Sequence, residues 1–88
     1  MRHPNYQEKT KVKVINKESV FYGMCGNVKE LIAVLKDKTR IHAGYEGSEE
    51  LLRKAYEDNA VEDWEVKVTF DKDKLCDYVF YACEIQPV

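Results

Sequence analysis

The chain has 88 residues, 44% of them apolar and 34% charged, with a formal net charge of −2. That length supports one domain, residues 1–88, with a modest core and no room for a second. No apolar run approaches the roughly 20 residues of a membrane-spanning helix, and no repeat or low-complexity stretch is present.

Charge is unevenly shared. Residues 1–40 hold nine basic and four acidic side chains, and residues 41–88 hold five basic and twelve acidic. A compact domain built from two such halves can present a basic face and an acidic face, each steering a charged partner. The opening "MRHPNYQEKTK" lacks the apolar core of a signal peptide, which fits a cytoplasmic protein. Residues 1–8 read as a flexible N-terminal segment. Three cysteines, Cys25, Cys76 and Cys83, form an odd set without a CxxC pair. They read as buried thiols rather than a disulfide framework. His3 and His42 add no usual zinc spacing, so neither a metal nor a cofactor is expected.

In chain order, "KTKVKVIN" alternates: Lys9, Lys11 and Lys13 fall on one side of a strand, with Val12 and Val14 on the other. "VFYGMCGNV" then places Gly23 and Gly26 three apart between apolar runs. Glycines there answer a need for positive φ or close backbone approach, which turns one strand sharply into the next. "NVKELIAVLK" fits either a strand, favoured for its first half, or a short helix with Leu31, Val34 and Leu35 inward. "TRIHAGYEG" is a loop or a short extra strand.

"SEELLRKAYEDNAV" is the clearest element, a helix around residues 48–60. Ser48 is placed to cap it, Glu49 and Glu50 suit the positive end of its dipole, and Leu51, Leu52, Ala55 and Tyr56 form an apolar stripe. "WEVKVTF" is a strand with Val66, Val68 and Phe70 on one face. "DKDK" makes a polar turn. "CDYVFYACEIQPV" is a strand or strand pair, with Val79, Tyr81, Cys83 and Ile85 on one face and Tyr78, Phe80 and Ala82 on the other. Pro87 has no N–H to donate, so pairing is expected to stop there.

The pieces "KVKVIN", "GMCGNV", "VKVTF" and "CEIQPV" resemble the KOW-containing kind of SH3-like barrel, and are similar to the small SH3-like subunit of photosystem I and its relatives. The resemblance covers both ends, about half of the chain. It implies a mainly β (α+β) fold: a small antiparallel SH3-like barrel. Residues 36–63, with their helix, would be an insertion where such barrels usually carry a short hairpin. Without the barrel, the same elements make an α+β sandwich of one helix on an antiparallel sheet.

No P-loop, GxGxxG, HExxH or nucleophile elbow occurs, so the chain does not read as an enzyme. His42 is the only internal histidine, and a lone histidine beside a turn is more often structural than catalytic. The acidic set Glu46, Glu49, Glu50, Glu57, Asp58, Glu62, Asp63 and Glu65 lacks calcium-loop spacing and reads as a solvated face. Protein binding has positive support in the six tyrosines. Tyr22, Tyr45, Tyr56, Tyr78, Trp64 and Phe80 are the candidate partner-binding rings. Tyr78 and Phe80 are expected either under the helix or against a partner.

The leading reading is therefore a non-catalytic protein-binding domain. It would be an accessory subunit, or a small inhibitor or adaptor of the kind phages and mobile elements carry, with self-association open. The alternative is an RNA- or DNA-binding KOW-like module using Lys9, Lys11, Lys13 and Lys17, with Phe21 and Tyr22 to stack on bases. Against it stand a pI near 5.7 and the lack of a sustained basic run. The lysines also read as protection for an edge strand.

Overall fold

Alternating apolar side chains turn one face of the strands into the core, and six strands share one antiparallel sheet. The computed structural model describes residues 9–72 and 75–88; the expected N-terminal segment 1–8 and half of the "DKDK" turn lie outside them. The elements are β1 (Lys11–Val14), β2 (Cys25–Leu35), β3 (Arg40–His42), α1 (Ser48–Glu57), β4 (Val61–Phe70), β5 (Tyr78–Tyr81), a 3-10 turn (Ala82–Glu84) and β6 (Ile85–Pro87). Strand order is β5-β4-β2-β1-β6, with β3 paired to the second half of β2. The fold is mainly β with one helix. No ladder joins β5 to β6, so hydrogen bonding leaves the sheet open. Valines from β1, β2 and β4, Phe80 of β5 and Ile85 of β6 nevertheless share one core, so the sheet curls around it.

The stretch 28–35 is strand, not helix. Val28 pairs with Val68 and Glu30 with Lys67, which leaves Lys29 as an extra residue in a bulge. The bulge shifts the alternation by one residue. Leu31 and Ala33 turn into the core beside Val66 and Trp64, while Glu30, Ile32 and Val34 take the outer face. All five residues of "LIAVL" are thus at least partly buried, on both faces of a central strand. Over the outer face, Arg40 Nε of β3 donates to Glu65 Oε1 of β4 at 2.9 Å. The two side chains meet across β2, above Ile32 and Val34, which are their cross-strand neighbours.

Both glycines of "GMCG" have the roles their spacing implies. Gly23 has φ +84° in the turn before β2. Gly26 is a close approach: a Cβ there would stand 2.6 Å from the Thr69 carbonyl and 2.8 Å from Val68 Cγ1. Phe21, between the two strands, folds inward. Its ring centroid lies 4.7 Å from Tyr78, 5.4 Å from Phe70 and 5.8 Å from Phe80. These rings close one end of the core.

Several expectations are corrected. β1 is not an edge strand: β2 and β6 flank it, so its lysines face solvent from inside the sheet. On β5 the faces are exchanged. Phe80 is core and Tyr78 half-buried under Phe21 and Phe70 rather than under the helix, while Val79 and Tyr81 are 54% and 50% exposed. The sequence is apolar on both faces there, so alternation fixes the pairing of faces but not which one turns inward. Pairing also runs through Pro87, opposite Val12, and Val88 N–H donates to the Lys11 carbonyl. Pro87 sits where the strand points its N–H away from β1, so the missing donor costs no ladder bond. The thiols are not buried: Cys25 is half-buried, and Cys76 and Cys83 are exposed.

The helix also starts differently. Gly47, at φ +80°, takes the N-cap position, and Ser48 makes no capping bond. Its hydroxyl instead donates back to the Tyr45 carbonyl at 2.6 Å. At the other end Asn59, at φ +53°, reverses the chain, with Ala60 N–H donating to Ala55 and Asn59 N–H to Tyr56. This is a Schellman closure.

Replacing Gly26 with alanine pushes a methyl group into the β4 backbone, and urea unfolding should show a loss of about 3 kcal/mol. Gly23→Ala meets no atoms and strains only its own φ, with an expected cost of roughly 1–2 kcal/mol. A smaller loss for Gly26→Ala than for Gly23→Ala would contradict the close approach.

Candidate functional site

β3 and α1 are joined by the short turn through Gly44 and Gly47, both at positive φ. The turn sends the helix back past the strand, and the two elements leave a groove of about 560 Å³ between them. Ile41, Leu51 and Ala55 give it an apolar lining, with Leu35 and Ala60 at one end and Tyr45 and Glu46 at the other. The apolar stripe of α1 is only partly used by the core. Ala55 is buried and Leu52 and Tyr56 are half-buried, but Leu51 is 58% exposed and faces this groove. Its volume lies in the range of ordinary ligand and peptide sites.

One wall of the groove is a strand edge. Leu35 N–H donates to the Thr39 carbonyl and Ala43 N–H to Leu31, which sets the hydrogen-bonded pairs of the β2–β3 ladder at odd positions. Arg40 and His42 occupy the intervening positions, opposite Val34 and Ile32. In an antiparallel ladder such residues turn N–H and C=O away from their partner strand. The backbone groups of Arg40 and His42 therefore point to the open edge.

Side chains hold that edge in place. His42 Nδ1 donates to Glu30 Oε1 at 2.5 Å, and Lys67 Nζ stands 3.3 Å from Glu30 Oε2. Burial pushes the Glu30 carboxyl up, but the hydrogen bonds and charges of His42 and Lys67 outweigh it and leave it below the usual carboxylate range. His42 also meets Tyr45 edge-on, with centroids 6.0 Å apart. Asp37 accepts the Thr39 N–H at 2.9 Å and shapes the entry to β3. No nucleophile is paired with a base here, since Ser48 donates to a carbonyl and His42 to Glu30. Among the described residues no three His, Cys, Asp or Glu side chains group as a metal site, and no helix is long and apolar enough to cross a membrane.

The rings expected to bind a partner divide. Tyr45 lines the groove and is 63% exposed. Tyr22 is exposed on the turn before β2, at a separate place in the fold. Trp64 is fully buried and donates from Nε1 to the half-buried Tyr56 hydroxyl at 2.8 Å, so this pair fastens the helix to the sheet. Phe80 and Tyr78 belong to the core cluster described above. Trp64, Phe80 and most of Tyr78 are thus not partner-facing; apolar rings at the centre of a small sheet are its most valuable core material.

The nucleic-acid set divides too. Lys9, Lys11, Lys13 and Lys17 are exposed, but Lys11 Nζ is engaged by Asp71 at 2.9 Å. Phe21 is half-buried and packs against Phe70, Tyr78 and Phe80. What sequence reasoning missed was Leu51 as a groove residue, Ile41, and the β3 edge itself. An amphipathic helix next to a three-residue strand carries no signal for how far apart they stand.

Comparison of the chain with protein-family models, curated proteins and solved structures finds no match. The functional reading therefore rests on the groove and the sheet edges.

The Glu30 carboxyl, depressed in the folded state, contributes stability that is complete above the ordinary carboxylate range and lost as pH falls through its lower folded value. Urea unfolding of wild type and Glu30→Gln across a pH series should therefore show the wild-type advantage shrinking on acidification. An advantage that stays constant from neutral to acid pH contradicts the Glu30–His42–Lys67 assignment.

Proposed function

We propose that this protein is a non-catalytic protein-binding domain, built as an open SH3-like barrel with an inserted strand and helix, and that it binds its partner in the groove between β3 and α1. The strand order, with the first strand beside the last and β5 passing to β6 through a single 3-10 turn, supports that architecture. The observation that carries the binding assignment is the juxtaposition of Leu51, exposed on the helix, with the open backbone edge of β3 across an apolar groove. An exposed apolar side chain beside unpaired strand groups is a contact surface in waiting. Accessory subunit, inhibitor and adaptor, acting in the cytoplasm, are the roles such a domain serves without chemistry of its own.

Nucleic-acid binding has weaker support, because Lys11 is paired with Asp71 and Phe21 is half-buried against the Phe70, Tyr78 and Phe80 rings.

A photo-crosslinking side chain at position 51, compared with one at position 20, tests the groove. Val20 is 90% exposed in the turn before β2, far from β3 in the chain, and serves as the control. In a lysate of the source cells, position 51 should give discrete protein adducts that Leu51→Asp, introduced in an untagged competitor, fails to compete away. Equal adducts from both positions, or none from position 51, overturn the groove as binding site. A salt-sensitive gel shift at micromolar protein, lost when Lys9, Lys13 and Lys17 become glutamate, would favour nucleic acid instead.

A further inference from the structure

We infer that the partner enters as an extended segment that adds a strand to β3, with apolar side chains at alternate positions turned into the groove and basic residues at its ends. This rests on the protein-binding reading and specifies the chemistry of its ligand.

Apart from the start of β4, which β5 does not reach and where Asp63 Oδ1 accepts the Trp64 N–H at 2.7 Å, three strands lie at sheet edges, and they are not equivalent. On β6, Pro87 removes the N–H that would face a new strand. On β5, Val79 and Tyr81 turn their N–H groups outward, and that of Tyr81 is already taken by Glu84 Oε1 at 2.9 Å. The same carboxylate accepts from Asn16 Nδ2 at 3.1 Å, so the cap is tied to the end of β1. On β3, Arg40 and His42 present N–H and C=O groups outward, and no partner for them occurs among the described residues. A groove with an apolar floor lies beside this edge. Strand addition gives affinity through main-chain bonds and selectivity through pockets for every second side chain. Side chains of an added strand that share the face of Ile41 would meet Leu51 and Ala55.

Charge selects the ends. The positive charge of Arg40 is already met by Glu65. Asp37, Glu46 and Asp58 line the groove without an ion pair among the described residues, against Lys54 alone. Along α1, Glu49, Glu50 and Glu57 outnumber Arg53 and Lys54. The groove is therefore acidic at its mouth and apolar along its floor, the complement of an apolar β-segment with lysine or arginine flanks.

Selection from a displayed library of random linear peptides tests the inference on the full chain. Enriched sequences should alternate apolar and polar residues between basic ends, and binding should weaken as salt rises from about 0.05 to about 0.5 M. Binding should protect the Arg40 and His42 amides from exchange. Moving a backbone N-methyl group along the best synthetic peptide should cut affinity roughly tenfold or more at every second position and little at the others. The variant Glu46→Lys with Asp58→Lys, both at exposed sites, should select acidic ends instead. Peptides that Leu51→Asp abolishes but that give no period-two N-methyl pattern and no protection overturn strand addition and leave the groove reading standing. So does an empty selection accompanied by adducts at position 51. Peptides indifferent to Leu51→Asp, or an empty selection without adducts, overturn both.

Discussion

The pairing of β2 with β4, interrupted by the bulge at Lys29, is the constraint on which the rest of the structure depends. It brings Gly26 against the β4 backbone, and any side chain there would wedge the two longest strands apart. The bulge then changes the phase of β2. Without that one extra residue, Glu30 would turn inward with Val28, and Leu31 and Ala33 would face solvent. With it, the core receives Leu31 and Ala33 against Val66 and Trp64, and Glu30 emerges on the outer face where His42 and Lys67 can reach it. The position of β3, and with it the groove, follows from this phase, because β3 pairs only with the segment of β2 beyond the bulge.

The same arrangement distributes risk along the sheet edges. An open sheet in a small protein exposes strand groups that invite pairing with other chains. Two of the edges here are obstructed by local means, a proline on β6 and the Glu84 carboxylate on the Tyr81 N–H of β5. The third is left open, and it is the one supported from behind by an ion-pair rung across β2 and by a buried carboxylate under His42. The helix contributes both structure and surface. Tyr56 binds it to Trp64 in the core, while Leu51, at a neighbouring position on the same stripe, is left for the groove.

Much of the fold was legible in residue order. The β1 alternation, the "WEVKVTF" strand, a helix expected around residues 48–60 and observed as Ser48–Glu57, and the roles of the two glycines follow from period and backbone freedom. The candidate site was legible only in part. Tyr45, an expected partner-binding ring, lies in the groove, but Trp64 and Phe80 lie in the core, where large rings of a small domain go first. Ser48 has the composition of a cap, yet the turn from Tyr45 delivers Gly47 to that position instead.

Sequence by itself determined which segments extend, which coil and where the chain must bend, because those choices depend on neighbours one to four residues away. Tertiary structure alone decided which face of "YVFY" turns inward, how "LIAVL" is covered on both sides, and which strand edge stays open. Those outcomes depend on partners far along the chain: Phe21 against Tyr78, Arg40 against Glu65, Asn16 against Glu84. Alternation along a strand is symmetric between its two faces. Only the rest of the core, arriving from elsewhere in the chain, breaks that symmetry.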